Sequence, residues 1–208
     1  MINFDYCNYL TNNELPVLQL LRRETNQKIL MPRQLSGHYQ GVLLQFISKM
    51  IKPKFILEIG TFTGYSAICL AQGLNDNGKL ITIEKNDELK FISEKYFYVA
   101  NLQKKIEQIF GDAKNIIPNL NIFFDLVFID ADKREYLDYY NLVFSKVSNG
   151  GFILIDNVFW NGKIFEPIDE KDLYTKGVLE LNEFIKNDDR IEKITLPIRD
   201  GLTIIRKK

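Results

Sequence analysis

The sequence predicts an α/β fold: a mostly parallel sheet of seven strands, one of them reversed, with helices on both faces. Three observations carry this. Five short apolar runs, at residues 55–57, 80–83, 106–110, 125–129 and 152–155, each stop at an acid or at a glycine followed by one. Runs of that length bounded by turn residues read as strands buried on both faces. The stretches between them carry helical spacing, as crossovers between parallel strands require. Finally, the chain ends in two alternating runs, Ile191–Leu196 and 202–206, joined only by residues 197–201. So short a link forces antiparallel pairing, which reverses one strand.

Taken in order, residues 1–34 form a helical appendage ahead of the sheet. Residues 14–30 place Val17, Leu18 and Leu21 at helical spacing, with Arg22, Arg23 and Glu24 on the polar side and Pro16 in the first turn. Met31-Pro32-Arg33 breaks that helix. Ser36 is a candidate N-cap for a second helix reaching Met50, with Gly37, Gln40 and Gly41 in its first turns and Pro53 beyond its end. Residues 55–66, FILEIGTFTGYS, give the first strand, a glycine-bearing turn and the start of a helix over 65–74. Its glycines allow a sharp turn and the close approach of a ligand. The turn at 75–78 leads to the second strand, and Asp87 is the expected cap of a helix over 88–101. Gly111-Asp112-Ala113 ends the third strand, and a helix over 134–147 follows the fourth. Gly150-Gly151 turns the chain into the fifth strand, and residues 173–186 are the last helix. With 208 residues and no repeat or linker, the chain reads as a single domain.

Composition excludes several classes. Basic and acidic residues balance at 27 each, so no global field draws the chain onto nucleic acid or anionic membrane. An apolar fraction of 46% supplies a full core without disulfides. Cys7 and Cys69 are too few and too far apart for a disulfide framework or a zinc site. There is no signal-like leader and no apolar run of membrane-spanning length, so a cytoplasmic location is expected.

Ligands of open α/β sheets sit beyond the carboxyl ends of the strands. Here those ends carry Glu58, Glu84, Asp112, Asp130 and Asp156-Asn157. Acids gathered on one rim repel one another unless something neutralises them. Glu84 stands about two dozen residues after the glycine turn, where a carboxylate accepts both ribose hydroxyls of an adenosine. Nicotinamide enzymes use the same place, so Glu84 indicates a ribose and not one cofactor. Phe62 occupies the second glycine position of the G-x-G-x-x-G fingerprint, which points to a nucleoside without phosphates. Asp112 and the amide of Ala113 would lie against the adenine. Asp130, Asp156 and Asn157 are hard oxygen donors suited to Mg²⁺, leaving about three of six positions open. A single histidine, His38, and no clustered cysteine disfavour zinc or copper.

The E-x-G-x-x-x-G of residues 58–64 resembles motif I of the S-adenosylmethionine (SAM) methyltransferases. DADK at 130–133, DNVFWNG at 156–162 and PIRDGLTI at 197–204 extend the resemblance, in the right order, to the cation-dependent O-methyltransferases, which include caffeoyl-CoA and catechol enzymes. It covers the chain from about residue 35 onward; the N-terminal segment matches poorly. The resemblance implies a SAM-methyltransferase Rossmann-like fold. It implies SAM contacts at Ser36, Glu58, Gly60, Thr61, Phe62, Ser66, Glu84, Asp112, Ala113, Asp130 and Asp132. Asp130, Asp156 and Asn157 match the ligands of Mg²⁺, Mn²⁺ or Ca²⁺. Lys133 matches a general base and Asn161 a substrate contact. Arg199 departs from the pattern, since relatives often carry glycine there. A homodimer is the common assembly.

The expected activity is SAM- and cation-dependent methylation of a small catechol-type acceptor. Lys133, its pKa depressed by the cation's charge, would take the proton; alternatively it only balances Asp130 and Asp132. Trp160 and Phe159 would wall the acceptor, or serve as core. Three alternatives remain: methylation of 5-hydroxyuridine in tRNA, SAM binding without catalysis, and an NAD(P) oxidoreductase, against which Phe62 argues.

Overall fold

The computed structural model describes residues 4–208, with side chains from Tyr6 onward, so the first three residues of the expected appendage lie outside the description. The strands are β1 (Phe55–Ile59), β2 (Lys79–Glu84), β3 (Ile106–Phe110), β4 (Phe124–Ile129), β5 (Val147–Asp156), β6 (Ile191–Leu196) and β7 (Leu202–Lys207). They form one seven-stranded sheet in the order β3-β2-β1-β4-β5-β7-β6. β1 to β5 run parallel, and β7 is antiparallel to both β5 and β6. β7 is therefore the single reversed strand the hairpin required. The order reverses direction between β1 and β4, which opens a crevice at their carboxyl ends.

The helices are α1 (Phe4–Leu10), α2 (Pro16–Lys28), α3 (His38–Ile51), α4 (Tyr65–Ala71), α5 (Lys90–Val99), α6 (Ala113–Ile116), α7 (Tyr136–Phe144) and α8 (Leu173–Lys186). Period-two alternation splits the strand residues between two core layers. Ile56, Leu80, Leu126, Phe128 and Leu154 face Leu21, Leu44, Ile68, Ile92 and Phe97 of α2 to α5. Leu57, Ile59, Val127, Ile129, Ile153 and Ile155 face Tyr136, Tyr140, Val143, Leu181 and Ile185 of α7 and α8. Helices on both faces explain why the strands read as continuous apolar runs.

Several boundaries differ from expectation for local reasons. α1 has no counterpart in the sequence reading, and α4 and α7 are shorter than expected. Gly37, not Ser36, is the N-cap of α3: it sits at φ 77, and no side chain caps the helix. Asn86, not Asp87, caps the turn before α5, its side chain accepting from Glu88 N. A 3-10 turn at Lys133–Glu135 precedes α7. β5 begins at Val147, so Gly150-Gly151 lies within the strand. Its register against β4 jumps between Phe124↔Val147 and Leu126↔Phe152. The glycines therefore mark a bulge, with Gly150 at φ 79, and not a turn.

Candidate active site

The hydrogen-bond ladder continues past the strand ends: Gly60 N donates to Ile83 O and Asp130 N to Ile59 O, both at 2.9 Å. Gly60 has φ +98, and a Cβ there would lie 2.0 Å from the Asp130 carbonyl oxygen. At Gly64, φ +92, it would lie 2.6 Å from the Phe97 ring. The two glycines are thus demanded by the chain packing against itself, whereas the sequence suggested close approach of a ligand.

On the β1–β3 side, Glu58 is fully buried. Its Oε2 accepts from the Thr82 hydroxyl at 2.6 Å, and Thr82 in turn lies 2.6 Å from the Thr61 hydroxyl. Glu58 Oε1 is buried with no partner. Burial pushes this carboxyl up to about 8, against the pull of the Ser66 and Thr82 hydroxyls. An orphaned acceptor beside the glycine turn suits a ligand that brings a donor, such as the ammonium of an amino acid moiety. Glu84 accepts from Phe62 N at 2.7 Å and from Asn86 N at 2.9 Å, so it clasps the loops after β1 and β2. Burial raises its pKa, while those amides oppose the rise. Phe62 itself is held at φ 49. Asp112 caps α6 through Lys114 N at 2.9 Å and meets Lys85 Nζ at 3.2 Å. The Lys114 amide holds it below the usual carboxylate range. Ala113, Ser36 and Ser66 are buried.

On the β4–β5 side, Lys133 Nζ donates to Asp130 Oδ1 at 2.8 Å and lies 4.8 Å from the centre of the Tyr136 ring. Only 9% of the lysine side chain is exposed. Asp132 caps the 3-10 turn through Arg134 N at 3.0 Å, and the Arg134 guanidinium holds its pKa down. Asp156 is buried; its Oδ2 accepts from Gln40 Nε2 at 2.6 Å and its Oδ1 from Asn157 N at 2.9 Å. Burial first, and then the charge of Asp130, push Asp156 up to about 7. Asn157 adopts φ 58, outside the strand geometry before it.

Two acids that feel each other, with an amide beside them, fit a hard divalent cation, and the all-oxygen set favours Mg²⁺ over zinc. Among the described residues no group of three or more His, Cys, Asp or Glu could hold a metal; the amide oxygen of Asn157, next to Asp156, is the donor that would join the two acids.

Trp160 stacks on Tyr174, centroids 5.9 Å apart and planes 16° apart, and Arg134 lies 4.8 Å over the Tyr174 ring. The indole N–H of Trp160 is buried without a partner. Asn161 is exposed, and its backbone N donates to Asp200 Oδ1 at 2.5 Å.

The sequence reading assigned no site role to Gln40, Thr82, Tyr136, Tyr174 or Asp200. Tyr136 had a signal: three residues after Lys133, it falls one turn along. Its hydroxyl donates to the Asp156 carbonyl at 3.1 Å. Gln40 had none, being 116 residues from the carboxylate it serves.

Comparison with known proteins identifies the family and the fold. The sequence profile of the O-methyltransferase family matches residues 9–208. Caffeoyl-CoA O-methyltransferase 2 of Petunia hybrida is 36% identical over 179 residues, 81% of this chain and 74% of that protein. The O-methyltransferase TomG from Streptomyces achromogenes, solved in complex with SAM, superposes with a TM-score of 0.89 at 27% identity, over 98% of this chain and 94% of that one. The Podospora anserina methyltransferase PaMTH1, solved bound to SAH, gives 0.89 at 28% identity over 99% and 93%. The chain belongs to the SAM-dependent O-methyltransferase family, of the caffeoyl-CoA type.

Proposed function

We propose that this SAM-dependent O-methyltransferase uses a divalent cation, held by Asp130, Asp156 and Asn157, to methylate one hydroxyl of a small aromatic carrying two adjacent hydroxyls. The observation that carries the reading is the buried Lys133, whose Nζ lies 2.8 Å from Asp130 Oδ1, beside a second acid, Asp156, and Asn157. A base and an oxygen donor set then share one rim with the orphaned Glu58 and the ribose-type acid Glu84.

When bound, SAM supplies the methyl group on a sulfonium, and the cation lowers the pKa of a hydroxyl it touches and fixes its aim. The residues of the chain do the rest. Glu84 accepts the ribose hydroxyls, and Glu58 Oε1 accepts from the amino acid end. Gly60, Thr61, Phe62 and Ser66 line the turn and helix start around that end. Ser36 borders it from the segment before α3, and Asp112, Ala113 and Asp132 border the far side. Asp130 and Asp156 hold the acceptor side, Lys133 takes the hydroxyl proton, and Trp160 with Asn161 borders the acceptor. Orientation of this kind converts an in-line displacement into an effectively intramolecular step.

The charge balance of 27 against 27 supports a small acceptor over tRNA, whose binding draws on many phosphate contacts. A homodimer in the cytoplasm belongs to the same reading. The test is a competition with labelled SAM between caffeate-type diphenols and tRNA bearing 5-hydroxyuridine, with and without EDTA. Label is expected in the diphenol alone, lost on chelation and restored by Mg²⁺ or Mn²⁺. Label only in tRNA would overturn the acceptor; full activity after exhaustive chelation would overturn the cation.

A further inference from the structure

Arg199 lies in the turn between β6 and β7 at φ 50, a backbone region that glycine adopts without strain. Its guanidinium crosses to the segment before and at the start of α3. It donates to Leu35 O at 3.2 Å, to Ser36 O, and to Gln40 Oε1 at 3.2 Å. Gln40 is 1% exposed, and its other amide atom, Nε2, donates to Asp156 Oδ2 at 2.6 Å. The amide is thereby fixed one way round. A flip would set NH₂ against a guanidinium and oxygen against a carboxylate, leaving both ends unpaired in a buried place.

The neighbouring Asp200 works on the other side. It accepts from Asn161 N, and its surroundings include the Asn157 side chain and Lys133. One turn of the terminal hairpin thus reaches two consecutive residues of the proposed cation site, Asp156 through Gln40 and Asn157 through Asp200.

We propose that Arg199 is a positioning residue for the cation site: by holding Gln40 in one orientation, it fixes the Asp156 carboxylate in the pose that a divalent cation requires. The inference rests on the reading of Asp130, Asp156 and Asn157 as ligands. Partners that orient a ligand typically change metal affinity by about 10–100-fold when removed. All three bonds leave Nη1, the far nitrogen of the guanidinium, whereas a lysine ammonium ends one bond nearer its own Cα and would meet the same acceptors only in part.

The test measures Mn²⁺ affinity by electron paramagnetic resonance on protein free of SAM and acceptor, with melting temperature as the control for folding. Arg199→Gly should melt near the wild type and bind Mn²⁺ about tenfold more weakly, at the lower end of that range. Gln40→Leu should lose affinity to a similar extent. The double variant should bind no worse than Gln40→Leu, because both act through one path. Arg199→Lys should fall between wild type and Arg199→Gly. Wild-type affinity in Arg199→Gly or Arg199→Lys, or losses that multiply in the double variant, would overturn the inference. Asp156→Asn separates the two readings. If it binds Mn²⁺ as the wild type does, the cation site itself is wrong and the inference falls with it. If it binds weakly while Arg199→Gly binds normally, only the role of Arg199 is lost.

Discussion

Glu84 at the end of β2 and Asp156 at the end of β5 are both acids at strand ends, yet their partners come from different distances. Glu84 is held by Phe62 N and Asn86 N, from its own loop and the neighbouring one. Asp156 takes one bond from Asn157 N and the other from Gln40, 116 residues earlier in the chain, on the helix that precedes β1. Burial raises both, but only Asp156 has a second acid, Asp130, among the leading causes. At Glu84 the β1–β3 side is therefore clasped by main-chain amides of two adjoining loops. The β4–β5 side balances its charges with one lysine and long-range side chains, and it keeps a demand for positive charge.

Three substitutions sharpen that contrast, from the largest effect to the smallest. Lys133→Ala should lower kcat by about 10²–10⁴, the usual contribution of a positioned base, with little change in the SAM dissociation constant. A pH–rate profile matching the wild type would remove Lys133 as the base. Glu84→Ala should weaken SAM binding by about 1.5–3 kcal/mol, the scale of lost charged hydrogen bonds, as read by calorimetry. An unchanged constant would reduce Glu84 to a clasp between two loops.

Glu58→Gln should act on the pH dependence of stability. The folded carboxyl sits at about 8 against an ordinary 4.5. Its contribution is present in full below 4.5 and is lost as pH rises through about 8, since the unfolded chain releases a proton that the folded one retains. Denaturation at pH 5 and pH 8 should show a smaller loss in the variant than in the wild type. Equal losses would mean that Glu58 does not retain its proton.

How far the sequence could be read follows from the range of each interaction. The strands were legible because burial on both faces leaves uninterrupted apolar runs, and the reversed strand because a five-residue link allows nothing else. The bulge in β5 was not, since Gly150-Gly151 looks the same in a turn as in a strand. Neither was the cap of α3: Ser36 has the better capping side chain, but the left-handed backbone at Gly37 takes the position. The acids on the rim were legible by type and place, being tied to strand ends. Arg199 stood out only as a departure from the family pattern and Gln40 not at all, because neither lies near Asp156 in the chain and a glutamine on a helix carries no pattern of its own.

The contact at Gly60 has a bearing on what can change in this enzyme. With the Asp130 carbonyl 2.0 Å from where a Cβ would stand, the turn after β1 and the first residue after β4 are seated main chain against main chain. On the proposed reading these are the floors of the donor and acceptor compartments. The span a methyl group must travel is then a dimension of the backbone, indifferent to which side chains line either compartment.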